Sequence, residues 1–194
     1  IGLEETFKKD LMTKEEKVVI VGAGPAGLFA ANSLKEHFEV TIIEKENYIG
    51  GSGLHSDGKL NFHPKVGGDL TDFFSMSEAW GVMEEIKQTF MELGVPEVNI
   101  NENGMEKLDR KSSSAGINFM KIEQTHVGSD HLPNVMQRYR KKLEKSGVKF
   151  KLNTKAENIV LNNQVEKIRT EKGEIEGDYF ILGPGRLGSE WLTS

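Results

Sequence analysis

The segment from Val18 to Glu44 leaves few folds open to this chain. Four apolar residues, Val18, Val19, Ile20 and Val21, precede Gly22, Gly24 and Gly27 in the order G-x-G-x-x-G. A helix-compatible stretch follows, with Leu28, Ala31 and Leu34 on one face. A second apolar run, Val40 to Ile43, then stops at Glu44. The glycine pattern alone is a weak signal, and the order strand, tight turn, helix, strand, acid is what gives it meaning. Gly22 serves the sharp reversal of the chain. Gly24 removes the Cβ that would hold a pyrophosphate away from the backbone, and Gly27 lets the helix lie close to the strand. Pro25 stands near the helix start, where its missing N–H costs little. Unpaired N–H groups and the positive end of the helix dipole suit a diphosphate at this point. A carboxylate closing the second strand accepts the hydroxyls of an adenosine ribose and disfavours a 2′-phosphate. Glu44 therefore leaves NAD and FAD open and argues against NADP. The candidate cofactor-binding residues in this segment are Gly22, Gly24, Pro25, Ala26, Gly27, Glu44 and Lys45.

Two later features bear on the choice of dinucleotide. Gly50-Gly51 follows the acid closely, in E-K-E-N-Y-I-G-G-S-G. Near the end stands G-D-Y-F-I-L-G-P-G-R, residues 177–186. With them the chain resembles the two-dinucleotide-binding-domain flavoproteins, a large superfamily of FAD-dependent oxidoreductases. G-G-S-G-L-H-S-D-G-K-L-N-F, H-V-G-S-D-H-L-P and G-P-G-R-L-G-S-E-W look, more narrowly, like a family of poorly characterised FAD-dependent dehydrogenases. The resemblance implies FAD as cofactor. It adds Gly51, Ser52 and Gly53 as backbone donors to the diphosphate, and Gly183, Gly185 and Arg186 as the loop that returns to the cofactor. It also implies a flavin-facing role for the region of Ser56, Asp57 and Lys59. Lys59 and His126 are the candidate catalytic residues: a lysine beside reduced flavin stabilises its negative charge, and a histidine titrates near neutrality. A solvated loop lysine and a surface histidine are the plain alternatives. A nicotinamide-dependent oxidoreductase domain and a non-catalytic nucleotide-binding module remain as other readings of the whole.

The expected fold is α/β: a Rossmann-like FAD/NAD(P)-binding domain with a central parallel sheet, helices on both faces, a small antiparallel meander and part of a cap region. A polar lead-in occupies 1–16, the binding domain 17–68 and 123–194, and an insertion 69–122. Val82, Ile86, Phe90 and Leu93 form a stripe at helical spacing, which predicts a helix from Ser77 to Leu93. The residues from Val98 to Ser114 read as irregular, and Ile117 to Ile122 alternates like a half-buried strand. A helix is predicted from Pro133 to Ser146 and a strand from Val148 to Leu152. Three short alternating runs between Ala156 and Glu176 read as the meander, and Tyr179 to Leu182 as a buried strand.

The 194 residues carry no cysteine, which removes disulfides, thiolate metal sites and redox dithiols from this stretch. The five histidines have no metal-ligand spacing, so no metal is expected. A net charge of −5 with mixed signs gives no footprint for nucleic acid. No apolar run approaches a membrane span. The expected setting is cytoplasmic, with a small-molecule substrate and NAD(P)H as an electron partner. The chain begins at Ile1 and is shorter than the proteins it resembles, so it is expected to be an N-terminal portion of a larger flavoprotein.

Overall fold

The computed structural model describes residues 16–97, 104–162 and 164–193. The polar lead-in lies almost wholly outside the described residues, as do positions 98–103. The chain divides into two compact units. One comprises residues up to Ser56 together with those from Met136 onward, and the other spans Asp57–Val135.

The first unit is built on a four-stranded parallel sheet. Its strands are β1 (Lys17–Val21), β2 (Glu39–Ile43), β5 (Lys149–Lys151) and β9 (Tyr179–Leu182), in the order β5-β2-β1-β9. Strand β1 lies at the centre, in register from Val18↔Val40 to Val21↔Ile43 on one side and Val18↔Tyr179 to Val21↔Leu182 on the other. Burial on both faces explains why β1 and β2 read as nearly continuous apolar runs. Side-chain alternation sends Val18 and Ile20 to one face with their partners Val40 and Ile42, all at most 2% exposed. Helix α1 (Pro25–Leu34) covers that face, with Leu28 and Ala31 buried. Tyr139, on the portion of α4 (Leu132–Lys145) from Met136 onward, meets Phe29 of α1 edge to face at 5.6 Å. Its hydroxyl donates to the Leu28 carbonyl at 3.4 Å.

The opposite face carries Val19, Val21 and Ile43. Here the expected meander does the covering. Strands β6 (Ala156–Asn162), β7 (Gln164–Thr170) and β8 (Gly173–Glu176) form an antiparallel sheet in that order. Ile168 of β7 joins the core, and Ile159, Ile175 and Phe180 pack against it. Trp191 of the short helix α5 (Ser189–Thr193) does the same. Two helices cover one face, while a sheet and one helical turn cover the other.

The second unit holds a two-stranded antiparallel sheet, β3 (Lys59–Phe62) with β4 (Glu123–His126), and two helices, α2 (Met76–Glu92) and α3 (Met105–Ser114). Helix α2 starts with a capping box. Ser75 Oγ accepts from the Glu78 amide at 3.3 Å, and the Glu78 carboxylate accepts from the Ser75 amide at 2.9 Å. Such a cap stabilises a helix by about 1 kcal/mol.

Three expectations need correction. Residues 117–122 form no strand: Ile117, Met120 and Ile122 are 62%, 42% and 38% exposed. The ladder begins instead at Glu123, opposite Phe62, because alternation makes a strand only where a partner edge meets it. The stretch ending at Ser114 contains helix α3, whose residues favour helix by propensity and carry no apolar stripe. The glycine-rich stretch from Lys45 to Gly68, which shows no sustained periodicity in the sequence and reads as a long connection, includes β3 and a 3₁₀ turn, Gly51–His55. Among the described residues no helix is long and apolar enough to cross a membrane.

Candidate functional site

The ends of β1, β2 and β9 bring the glycine motif, Glu44 and the late loop together within the first unit. Gly22 has φ +101°, and its amide donates to the Ile43 carbonyl at 2.8 Å. A Cβ on Gly22 would stand 2.3 Å from the Gly183 carbonyl oxygen, and one on Gly27 would stand 2.0 Å from the Gly22 oxygen. Packing therefore imposes glycine at both positions. Gly24 differs. Its backbone is extended (φ −76°, ψ −179°), and a Cβ there would meet no protein atom within 4 Å. Among the described residues nothing requires glycine at that position, and the open side lies at the start of α1.

No side chain caps α1, and its first bond is Leu28 N–H to the Gly24 carbonyl at 3.0 Å. The amides of Gly24, Ala26 and Gly27 have no acceptor among the described residues. A ten-residue helix with an uncapped N-terminus presents partial positive charge and free donors to an anion.

Glu44 stands just past β2, and backbone donors hold both of its oxygens. Oε2 accepts from the Ala23 amide at 2.8 Å and Oε1 from the Glu46 amide at 3.0 Å. The carboxylate is thus fixed against the glycine turn. Each oxygen has two lone-pair sites, so each retains one for a further donor. Three backbone bonds continue the sheet beyond its strands: Glu44 N–H to Lys151 O at 3.0 Å, Thr154 N–H to Glu44 O at 2.8 Å, and Asn153 N–H to Glu46 O at 2.9 Å. These bonds set Thr154, Lys155 and Ala156 beside Glu44. Between them lies a cavity of about 130 Å³, lined by Gly22, Glu44, Lys45, Ala156, Pro184 and Trp191 among others.

The Gly50–Gly53 segment docks on the same turn. The Gly50 amide donates to the Ala23 carbonyl at 2.7 Å, and a Cβ on Gly51 would lie 3.1 Å from Gly24 Cα. Gly53 spends its amide on the Gly50 carbonyl at 3.1 Å. The amides of Gly51 and Ser52 have no acceptor among the described residues. In the late loop, Gly183 N–H continues the ladder to Val21 O at 2.8 Å, and the Cβ position of Gly183 is 3.8 Å from the Gly27 nitrogen. Gly185 takes φ +68°. Arg186 is exposed and opens the 3₁₀ turn Arg186–Gly188. Lys45 is exposed, with its ammonium 3.9 Å from Glu46.

Lys59 and His126 belong to the second unit, where they face each other in register across β3 and β4. The Lys59 ammonium pairs with Asp57 at 2.8 Å, and that hydrogen bond holds the Asp57 carboxyl below the usual carboxylate range. His126 Nε2 lies 3.0 Å from the Asp57 carbonyl. A carbonyl only accepts, so this bond places a proton on Nε2 and leaves Nδ1 as the lone pair of the neutral ring. Gly58 and Gly128 bring the two segments this close, since a Cβ on Gly58 would be 2.6 Å from the Gly128 carbonyl carbon.

The turn, Glu44 and the late loop are legible in the sequence as parts of this site, whereas the Ala23 amide, the 154–156 segment and Trp191 are not. The Ala23 contact is a backbone bond and leaves no residue-type signal. The 154–156 segment reaches Glu44 only through the parallel pairing of β5 with β2.

Residues 20–73 match the domain family described as NAD(P)-binding Rossmann-like domain. The flavin-containing monooxygenase FMO GS-OX-like 5 of Arabidopsis thaliana is 41% identical over 46 residues, 23% of this chain and 10% of that protein. Glycine oxidase from Bacillus cereus superposes with a TM-score of 0.61 at 16% identity, covering 92% of this chain and 57% of that one. L-amino acid deaminase from Proteus vulgaris gives 0.54 at 19% identity, over 91% and 49%. The chain thus spans a tenth of the curated relative and about half of the solved ones. It has the Rossmann-like α/β fold that these structures share.

Proposed function

We propose that this chain holds FAD and forms the cofactor-binding portion of a flavin-dependent oxidoreductase. The observation that carries the reading is Glu44: a carboxylate fixed by two backbone amides, with lone pairs to spare, beside an uncapped helix N-terminus. In this reading the ribose hydroxyls donate to Glu44. The amides of Gly24, Ala26 and Gly27, with those of Gly51 and Ser52, receive the diphosphate. The open side of Gly24 is the approach the phosphates need. The Gly183–Arg186 loop closes over the turn. The flavin, when bound, supplies the exchange of a hydride or electrons with a substrate. The likeness to a protein named as flavin-containing supports FAD over other dinucleotides.

Lys59 and His126 are the ionisable groups we assign to the substrate's chemistry. The Asp57 carbonyl orients the imidazole so that Nδ1 is free to accept a proton. The Asp57 carboxylate holds the lysine in position.

A second reading follows from the description of the matched family: NAD in the same site. Glu44 suits the adenosine ribose of either cofactor. The experiment is a visible absorption spectrum of protein purified with and without added FAD and passed through gel filtration. Flavin bands that travel with the protein support the proposal. Folded protein without flavin that binds NAD in a calorimeter replaces it with the second reading.

A further inference from the structure

The second unit carries two exposed surfaces of opposite charge, and neither belongs to the dinucleotide site. The first centres on the 3₁₀ turn Leu70–Asp72 and the start of α2. Phe73, Phe74, Met76 and Trp80 are all exposed there, Phe73 to 82%. Residues 68–85 hold five carboxylates, Asp69, Asp72, Glu78, Glu84 and Glu85, and no lysine or arginine. Hydrogen bonds pin this aromatic face on both sides. Asp69 Oδ1 accepts from the Thr71 amide at 2.9 Å, and the Phe73 and Phe74 amides donate to the Leu70 carbonyl at 3.1 and 3.0 Å. The Ser75–Glu78 box then fixes the entry into α2, and Trp80 meets His63 edge to face at 5.1 Å. With about 150–250 Å² for each aromatic side chain, these exposures leave roughly 400 Å² of apolar surface in water, a size at which a patch is often functional. The second surface is an open groove of about 790 Å³ between α3 and residues 119–121. Met105 and Phe119 line it, with Lys107, Arg110 and Lys121 around them. Residues 104–122 carry Lys107, Arg110, Lys111 and Lys121 against Glu106 and Asp109, so this side is net positive.

We propose that these two surfaces bind each other between copies of this chain, the Phe73–Trp80 face of one copy seating in the α3 groove of the next. Aromatic side chains fixed on a turn match a groove lined by Met105 and Phe119, and an acidic surround matches a basic one. The same charges argue against other occupants. A two-fold contact of the aromatic face with itself would set five carboxylates against five, and an anionic lipid surface would repel them. Within one chain Phe73 is exposed and the groove is open, so the contact is not already made there. A head-to-tail contact of this kind closes into a ring or runs on as a filament. Its modest apolar area fits a transient, micromolar association rather than a permanent one. The proposal uses no residue of the dinucleotide site and stands apart from the cofactor reading.

The test is sedimentation velocity of the full chain and of two variants. Phe73→Ser with Phe74→Ser removes the aromatic face, and Lys107→Glu with Arg110→Glu reverses the groove. All four positions are exposed, and thermal melts check that each variant folds. If a double variant melts early, the single changes Phe73→Ser and Lys107→Glu take its place. The average mass of the parent is expected to rise above that of a monomer between about 10 µM and about 500 µM. Each variant alone is expected to stay monomeric across that range. An equimolar mixture of the two is expected to form a one-to-one dimer and nothing larger, because one intact face and one intact groove remain between them. A parent that stays monomeric throughout overturns the proposal. So does association that persists in either folded variant, or a mixture of folded variants that stays monomeric.

Discussion

The Ala23 amide donates to Glu44 Oε2 at 2.8 Å, so the glycine turn and the end of the second strand are tied by one hydrogen bond across twenty-one positions. The contact gives Glu44 two duties, because the carboxylate also satisfies the Glu46 amide. Replacing it with alanine strands both donors, and leaving a part-buried donor unsatisfied costs about 1–3 kcal/mol. Glu44→Gln is the cleaner probe, since the amide oxygen still accepts from one donor while the charge is gone. We expect Glu44→Gln to weaken FAD about tenfold or more, since bonds to a charged acceptor contribute about 1.5–3 kcal/mol. Its melting temperature should fall less than that of Glu44→Ala. Calorimetry and thermal melts check the pair.

The glycines of the motif should separate by role. Gly22→Ala places a methyl 2.3 Å from the Gly183 oxygen at φ +101°. It should destabilise the fold by about 1–3 kcal/mol or more, lowering the melting temperature by about 2–4 °C per kcal/mol. The methyl of Gly24→Ala meets no atom of the described residues within 4 Å, so its melting temperature without ligand should stay within about 1 °C of the parent, or rise slightly from reduced unfolded-state freedom. FAD affinity should drop in Gly24→Ala despite the intact fold. Equal losses of stability in both variants would contradict this division.

Lys87 of α2 donates to the Glu123 carboxylate of β4 at 2.8 Å. The hydrogen bond to Glu123, more than the Coulombic attraction, raises the lysine above its ordinary pKa. A raised folded-state value means the contribution is fully present below the unfolded pKa and lost as pH climbs through the folded one. The stability difference between the parent and Lys87→Met should therefore be about 0.5–1 kcal/mol at neutral pH and shrink above about pH 10.4. Urea unfolding followed across that window reads the difference.

The Ser75–Glu78 box should be worth about 1 kcal/mol to the second unit, and Ser75→Ala should lose it. Hydrogen exchange at the first turn of α2 should quicken accordingly.

The parts legible in the sequence were those in which residue type and geometry coincide. The run from Val18 to Val21 reads as a buried strand because both faces of β1 are covered, and Glu44 is visible because it closes β2. The strand expected from Val148 to Leu152 is legible in the residue pattern, while its parallel pairing with β2, in the ladder Thr41↔Lys149 to Ile43↔Lys151, is set by tertiary register. Helix α3 was hidden because Leu108, its one leucine, is 53% exposed and no apolar stripe forms. The strand read at 117–122 failed for the opposite reason: its alternation was present, but no edge met it. Within the site, the Ala23 donor and the 154–156 segment were invisible because backbone bonds and tertiary register, not side-chain identity, put them there. Trp191 was readable only as part of a motif, and its place at the cavity depends on packing against Ile168, 23 positions earlier in the sequence.

A crystal structure of the chain grown with FAD tests whether Glu44 and the start of α1 hold the cofactor. Density should place the ribose hydroxyls within hydrogen-bond distance of both Glu44 oxygens. The diphosphate should lie over the open side of Gly24, at the amides of Ala26 and Gly27. Density that places the ribose away from Glu44, or a diphosphate held elsewhere than the start of α1, would contradict that placement.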